Sequence, residues 1–208
     1  MKVPQKPKWM MWDHNIHYHR FLLQQIPPGA QRALDVGCGS GLFATRVAEK
    51  VPEVVAIDRD ADMISTARSA PGGAVVQYFE ADLLEADLPV GAFDFVSCLS
   101  ALHHMPLRPG LERLGSLLAP HGVLAVLGLY KLATAFDYAY AAVTGLLDLP
   151  VGVVRHHTQA PLRRSGGVVA DWHDTLREIR TAADAILPCS KVRRHMYDRY
   201  TLLYRKHA

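Results

Sequence analysis

Between Ala33 and Gly128, short runs of β-branched and apolar residues alternate with segments whose apolar positions recur at helical spacing. Such alternation builds a parallel sheet covered by helices on both faces. We expect strands at Ala33–Val36, Val54–Ile57, Val75–Phe79, Phe93–Ser97 and Val123–Leu127. Leu42–Lys50, Ala61–Ser69 and Pro109–Leu118 read as the helices between them, the last ended by the turn-forming Pro120-His121-Gly122. After Leu129 the rhythm changes to an Ala- and Leu-rich segment through Leu149, then to a Pro-, Gly- and Arg-containing stretch from Pro150 to Gly167. Asp171–Leu187 offers another helix, and Lys191–Tyr197 with Tyr200–Lys206 offers a strand pair around Asp198-Arg199. The pattern predicts one α/β domain over residues 1–208: a helical cap over 1–32, a core over 33–128, an insert or lid over 129–170, and a terminal helix and strand pair over 171–208.

A chain of 208 residues, half of them apolar, is long enough to bury a sizeable core. No run of about eighteen uncharged apolar residues occurs, and the basic Met1–Trp12 stretch lacks the apolar centre of a secretory signal, so a cytoplasmic protein without membrane insertion is expected. Cys38, Cys98 and Cys189 are too far apart for CxxC pairs and are read as reduced thiols. The formal charge is +3, with basic residues prevailing after about residue 150. Neither a concentrated basic stripe nor an aromatic stacking platform accompanies that bias, which argues against a nucleic-acid partner.

The chemistry gathers where strands end. The first runs into Asp35-Val36-Gly37-Cys38-Gly39-Ser40-Gly41, after which Leu42 begins a helix. Glycines allow a tight turn and a close backbone approach to a ligand, and amides beyond the turn can receive an anionic group. A dinucleotide loop would be GxGxxG, but its third glycine position is Leu42 here and the spacing is GxGxG. Asp58 closes the second strand, where a carboxylate accepts from both hydroxyls of a ribose. Ala81-Asp82-Leu83 follows the third, with an acid for an adenine amino group and apolar neighbours for the ring.

These residues, with Phe93-Asp94-Phe95-Val96-Ser97, Leu102-His103-His104-Met105 and Leu118-Ala119-Pro120-His121-Gly122-Val123-Leu124, resemble the class I, type 11 group of S-adenosylmethionine-dependent methyltransferases over residues 33–128. The resemblance implies a Rossmann-like, doubly wound seven-stranded sheet, mostly parallel with an antiparallel last strand, and S-adenosyl-L-methionine as cofactor. It assigns the cofactor to Asp35, Gly37, Cys38, Gly39, Gly41, Asp58, Arg59, Met63, Asp82, Leu83 and Cys98, with Asp35 facing the methionine ammonium. Cys38 is expected to fill space rather than react.

A methyl group on a sulfonium is already activated, so the protein must chiefly position an acceptor and manage one proton. His103 and His104, after the fourth strand, are the best-placed ionisable pair. His104 also falls where the similar phosphoethanolamine methyltransferases place a catalytic His beside a Tyr from an N-terminal segment, a part open to Tyr18. No His or acid spacing suggests a metal. Ser97-Cys98-Leu99-Ser100 stands where amino-methylating nucleic-acid enzymes carry an Asn-Pro-Pro-Tyr-type motif, which favours a small organic acceptor. The apolar Leu132–Leu149 insert, with Tyr138 and Tyr140, points to a hydrophobic or aromatic one. The alternatives are a binding module or cyclase that uses the same cradle without methyl transfer and, further off, an NAD-dependent dehydrogenase.

Overall fold

A computed structural model describes residues 14–140, 142–143, 173–196 and 198–207. The loop read at 150–167, the later part of the Leu132–Leu149 insert and the start of the cap lie outside the described residues. Seven strands form one sheet: β1 (Arg32–Val36), β2 (Glu53–Asp58), β3 (Gln77–Glu80), β4 (Phe93–Leu99), β5 (Leu118–Leu129), β6 (Lys191–His195) and β7 (Arg199–Arg205). Among the described residues, helices α1 (His14–Leu23), α2 (Leu42–Ala48), α3 (Ala61–Ser69), α4 (Leu107–Leu117) and α5 (Leu176–Ile186) cover it, and residues 135–140 are helical as well.

The spatial order is β3-β2-β1-β4-β5-β7-β6, with β1 through β5 parallel and β7 antiparallel to both its neighbours. The order reverses between β1 and β4, which opens a crevice at the carboxyl edge of the sheet. Because both faces are covered, the central strands are apolar almost continuously; β4 and β5 bury nearly every residue beyond their entrances. Leu34, Val96, Leu124 and Leu202 face one core, shared with α4 and α5. Ala33, Phe95, Ala125 and Leu127 face the other, shared with α1, α2 and α3.

Local chemistry sets the boundaries. Asp60 caps α3 by accepting from Asp62 N at 2.9 Å and Met63 N at 3.2 Å. Thr175 and Glu178 form a reciprocal capping box at the start of α5. Asp94 Oδ2 accepts from Gln31 N at 2.8 Å and Arg32 N at 3.0 Å, tying the entrance of β4 to that of β1. Two expectations shift. Gly73–Val75 forms a 3₁₀ turn, its Val75 N donating to the Gly72 carbonyl at 3.3 Å and Val76 N to that of Gly73 at 3.2 Å, so β3 starts at Gln77 rather than at Val75. Pro120-His121-Gly122 does not precede β5 but lies inside it: Phe93 pairs with Leu118 and Phe95 with Val123, so the extra residues bulge out, with His121 at φ 64°.

Candidate active site

The crevice is built from the ends of β1, β2 and β4. Asp35 is next to last in β1 and pairs across the sheet with Ser97 of β4, whose hydroxyl donates to its Oδ1 at 2.7 Å. Its other oxygen, Oδ2, is buried and has no hydrogen-bond partner, on a residue only 2 % exposed. Burial raises the Asp35 carboxyl to about 7, against the Ser97 hydrogen bond and with a contribution from Asp58.

Beyond it the glycine loop turns on itself. Gly37 N and Cys38 N donate to the Ile57 carbonyl at 2.8 and 3.0 Å, and Gly41 N to that of Cys38 at 2.9 Å. Gly37, Gly39 and Gly41 all have positive φ. They differ in what surrounds them. A Cβ on Gly37 would strike Ala101 and one on Gly41 would strike Tyr78, whereas Gly39 meets nothing within 4 Å. The outer two glycines are therefore required by packing, and the middle one fronts open space that a ligand can occupy.

Asp58 ends β2 and fastens this loop to the next helix. Its Oδ2 accepts from Gly39 N at 2.8 Å and its Oδ1 from Asp60 N at 3.0 Å. Each oxygen keeps a further lone pair for an incoming hydroxyl. Asp82 follows β3 and accepts from Leu84 N at 2.9 Å through Oδ1. Leu83 is buried in the core, Met63 is 38 % exposed on α3, and Arg59 is exposed between β2 and α3. Cys38 and Cys98 are buried, their thiols pushed up by burial, Cys98 to about 12. Neither is a nucleophile in that form.

His103 and His104 lie in a 3₁₀ turn after β4, with ring centroids 4.0 Å apart. Burial, with His104 and Arg199 adding, lowers His103 to about 4, and its buried Nδ1 has no partner. His104 is more open; burial and Arg59 lower it while Asp58 opposes, which places it beside the Asp58 end of the crevice. Tyr18 lies in α1. Its hydroxyl donates to the Met196 carbonyl at 3.4 Å and its ring meets the His195 edge, so it fastens α1 onto the β6–β7 hairpin. The sequence reading did not foresee Ser97 as the Asp35 partner, nor Ala101 and Tyr78 as the walls behind the glycines; each needs the strand register, which no local pattern carries.

The methyltransferase domain family matches residues 33–122. The chain is 35 % identical over 206 residues to an uncharacterized methyltransferase of Mycobacterium tuberculosis, covering 93 % of this chain and 96 % of that protein. It is 33 % identical over 159 residues to a ubiquinone biosynthesis O-methyltransferase of Xanthomonas axonopodis pv. citri, covering 74 % of this chain and 64 % of that one. Among solved structures, the N-methyltransferase NodS from Bradyrhizobium japonicum in complex with S-adenosylhomocysteine shares the fold, with a TM-score of 0.62 over 98 % of this chain and 93 % of that one at 13 % identity. The near full-length likeness to the mycobacterial protein, on a sheet of this order with acids and glycines at its carboxyl edge, makes the chain a member of the class I S-adenosylmethionine-dependent methyltransferases.

Proposed function

We propose that the chain transfers the methyl group of S-adenosylmethionine to a small, hydrophobic or aromatic organic acceptor in the crevice between β1 and β4. The observation that carries this reading is Asp35 Oδ2, a buried carboxylate oxygen with no partner, set beside a glycine that faces open space. Leaving such an atom unsatisfied is costly, and an ammonium group is the chemistry that satisfies it. When bound, the cofactor supplies a methyl group on positively charged sulfur.

Asp35 holds the amino-acid end of the cofactor, and Gly39 lets the backbone come close to it. Asp58, fixed by Gly39 N and Asp60 N, accepts from the ribose hydroxyls. Asp82 takes the adenine amino group, with Met63 and Arg59 flanking from the α3 side. Gly37, Gly41, Leu83, Cys38 and Cys98 shape the walls and floor. His104 takes the acceptor's proton, His103 orients it from the adjoining ring, and Tyr18 holds the α1 cap in place. The relatives named as methyltransferases support the reaction class, and the one named for O-methylation supports an oxygen nucleophile.

Calorimetry is expected to detect S-adenosylhomocysteine binding and little NADH binding; the reverse preference would return the chain to the dehydrogenases. A mass-spectrometric acceptor screen is expected to yield S-adenosylhomocysteine together with a product heavier by one methyl. Cofactor binding with an acceptor consumed but no methylated product would instead favour a cyclase.

A further inference from the structure

Past β5, on the same carboxyl edge, several elements converge on one guanidinium. Arg194 of β6 lies over the rings of Tyr130, Phe136 and Tyr140, 5.3, 5.1 and 5.4 Å from their centroids. It also donates through Nη2 to Asp137 Oδ1. Asp137 is held in turn by Ala133 N and Thr134 N at 3.1 and 2.8 Å. Tyr130 directly follows β5 and donates its amide to the Asp198 carbonyl at 3.2 Å, while the next residue, Arg199, donates to Ser100 Oγ at 3.2 Å. Ser100 begins the turn that carries His103 and His104, so this cluster adjoins the proposed reaction site.

The Tyr130 hydroxyl, on a residue 0 % exposed, and Arg194 Nη1 have hydrogen-bonding capacity and no partner. A packed core does not leave two such groups in one cluster without cost. What they can bind follows from the charges around them. Asp137 already balances Arg194, and Asp198 has Arg199 as its own counter-charge, so the cluster is balanced and an incoming carboxylate would trade its hydration for a guanidinium whose charge is spent. A neutral oxygen bears no such cost, and the aromatic faces around it suit a flat ring.

We propose that Tyr130 and Arg194 form the acceptor subsite and select an uncharged aromatic acceptor by hydrogen-bonding one of its oxygens, a phenol or a carbonyl. The inference rests on the methyl-transfer reading and gives its acceptor a chemical class. A phenol oxygen accepts from Arg194 Nη1 and exchanges a hydrogen bond with the Tyr130 hydroxyl, while the ring packs against Phe136.

The test uses the full chain saturated with S-adenosylhomocysteine and two probes, 4-methylcatechol and 3,4-dihydroxybenzoate, which differ by one carboxylate. Calorimetry is expected to show 4-methylcatechol binding at least tenfold more tightly. Tyr130→Phe is expected to weaken 4-methylcatechol binding threefold or more with S-adenosylhomocysteine affinity unchanged. Arg194→Lys, which can keep the pairing with Asp137 but lacks the second donor arm, provides the same comparison if Tyr130→Phe does not fold. Equal or tighter binding of the carboxylate, no binding of either probe, or variants with parental affinity would overturn the subsite. Failure of the parent to bind S-adenosylhomocysteine would instead sink the methyl-transfer reading itself.

Discussion

Burial holds the Asp35 carboxyl up at about 7, against the Ser97 hydrogen bond and with help from Asp58, whereas its ordinary value is 3.8. A carboxyl raised in this way contributes stability that is fully present below the unfolded value and is lost as pH rises through the folded one. The ligand-free protein is therefore expected to lose up to ~1.4 kcal/mol per pH unit through this group between about pH 4 and 7. Urea unfolding at pH 5 and 7.5 should show a shallower loss in Asp35→Asn; an unchanged slope would remove Asp35 as its source. Binding has the opposite dependence, since an ammonium needs the carboxylate: affinity for S-adenosylhomocysteine is expected to be roughly tenfold weaker at pH 6 than at pH 8. His104 supplies a second residue-scale outcome. Burial and Arg59 keep it below its ordinary value, with Asp58 opposing, so the ring is neutral and able to take a proton at pH 7. His104→Ala is expected to lower turnover at least ~10-fold with little change in cofactor affinity, and parental turnover should fall as the ring protonates in acid. A variant that turns over like the parent would leave positioning as the sole contribution. Asp35, Asp58 and the glycines were legible because each ends or follows a strand in an ordered series. Tyr130 and Arg194 were not: they are 64 residues apart, and only the β5–β7–β6 pairing brings them together.

At the scale of elements, the apolar runs of β1, β2 and β4 were readable to within two residues, since a strand buried on both faces leaves a continuous signature. β5 was readable only in its second half. Its first half passes through a proline, a positive-φ histidine and a glycine, and such residues read as a turn whether the chain leaves the sheet or bulges within it. The helix expected from Asp171 begins at Leu176, where Thr175 accepts from Glu178 N and Glu178 reaches back to Thr175 N at 2.8 Å. This box starts the helix that buries Leu176, Ile179, Ala182 and Ala183 against the sheet. Thr175→Ala is expected to cost about 1 kcal/mol, and so to lower the melting temperature by roughly 2–4 °C in a domain of this size. Calorimetric scans check it, and an unchanged midpoint would mean that packing alone fixes the start of α5.

Across the whole molecule, the parallel sheet covered on both faces followed from alternation, whereas the doubly wound seven-stranded plan and the antiparallel β7 followed from the resemblance. The strand order at that side decides what can be removed. β7 is almost wholly buried over Arg199–Leu202 and stands between β5 and β6 rather than at the rim. A fragment of residues 1–190 would lack both terminal strands and expose the β5 edge from Val123 to Leu129. It is expected to aggregate and to show no cooperative melt; a monomeric fragment with a sharp transition on size exclusion and calorimetry would contradict this. The same insertion orders events as the chain leaves the ribosome. β6 emerges first, yet in the finished sheet its pairing partner is β7, so it has no place to dock until the later strand has followed it. The two strands can close first as a local hairpin, on the order of microseconds, and then join the waiting β5 edge as a unit. Until then the nascent sheet presents an open, apolar border, which makes the final docking step the one that a chaperone would have most reason to guard.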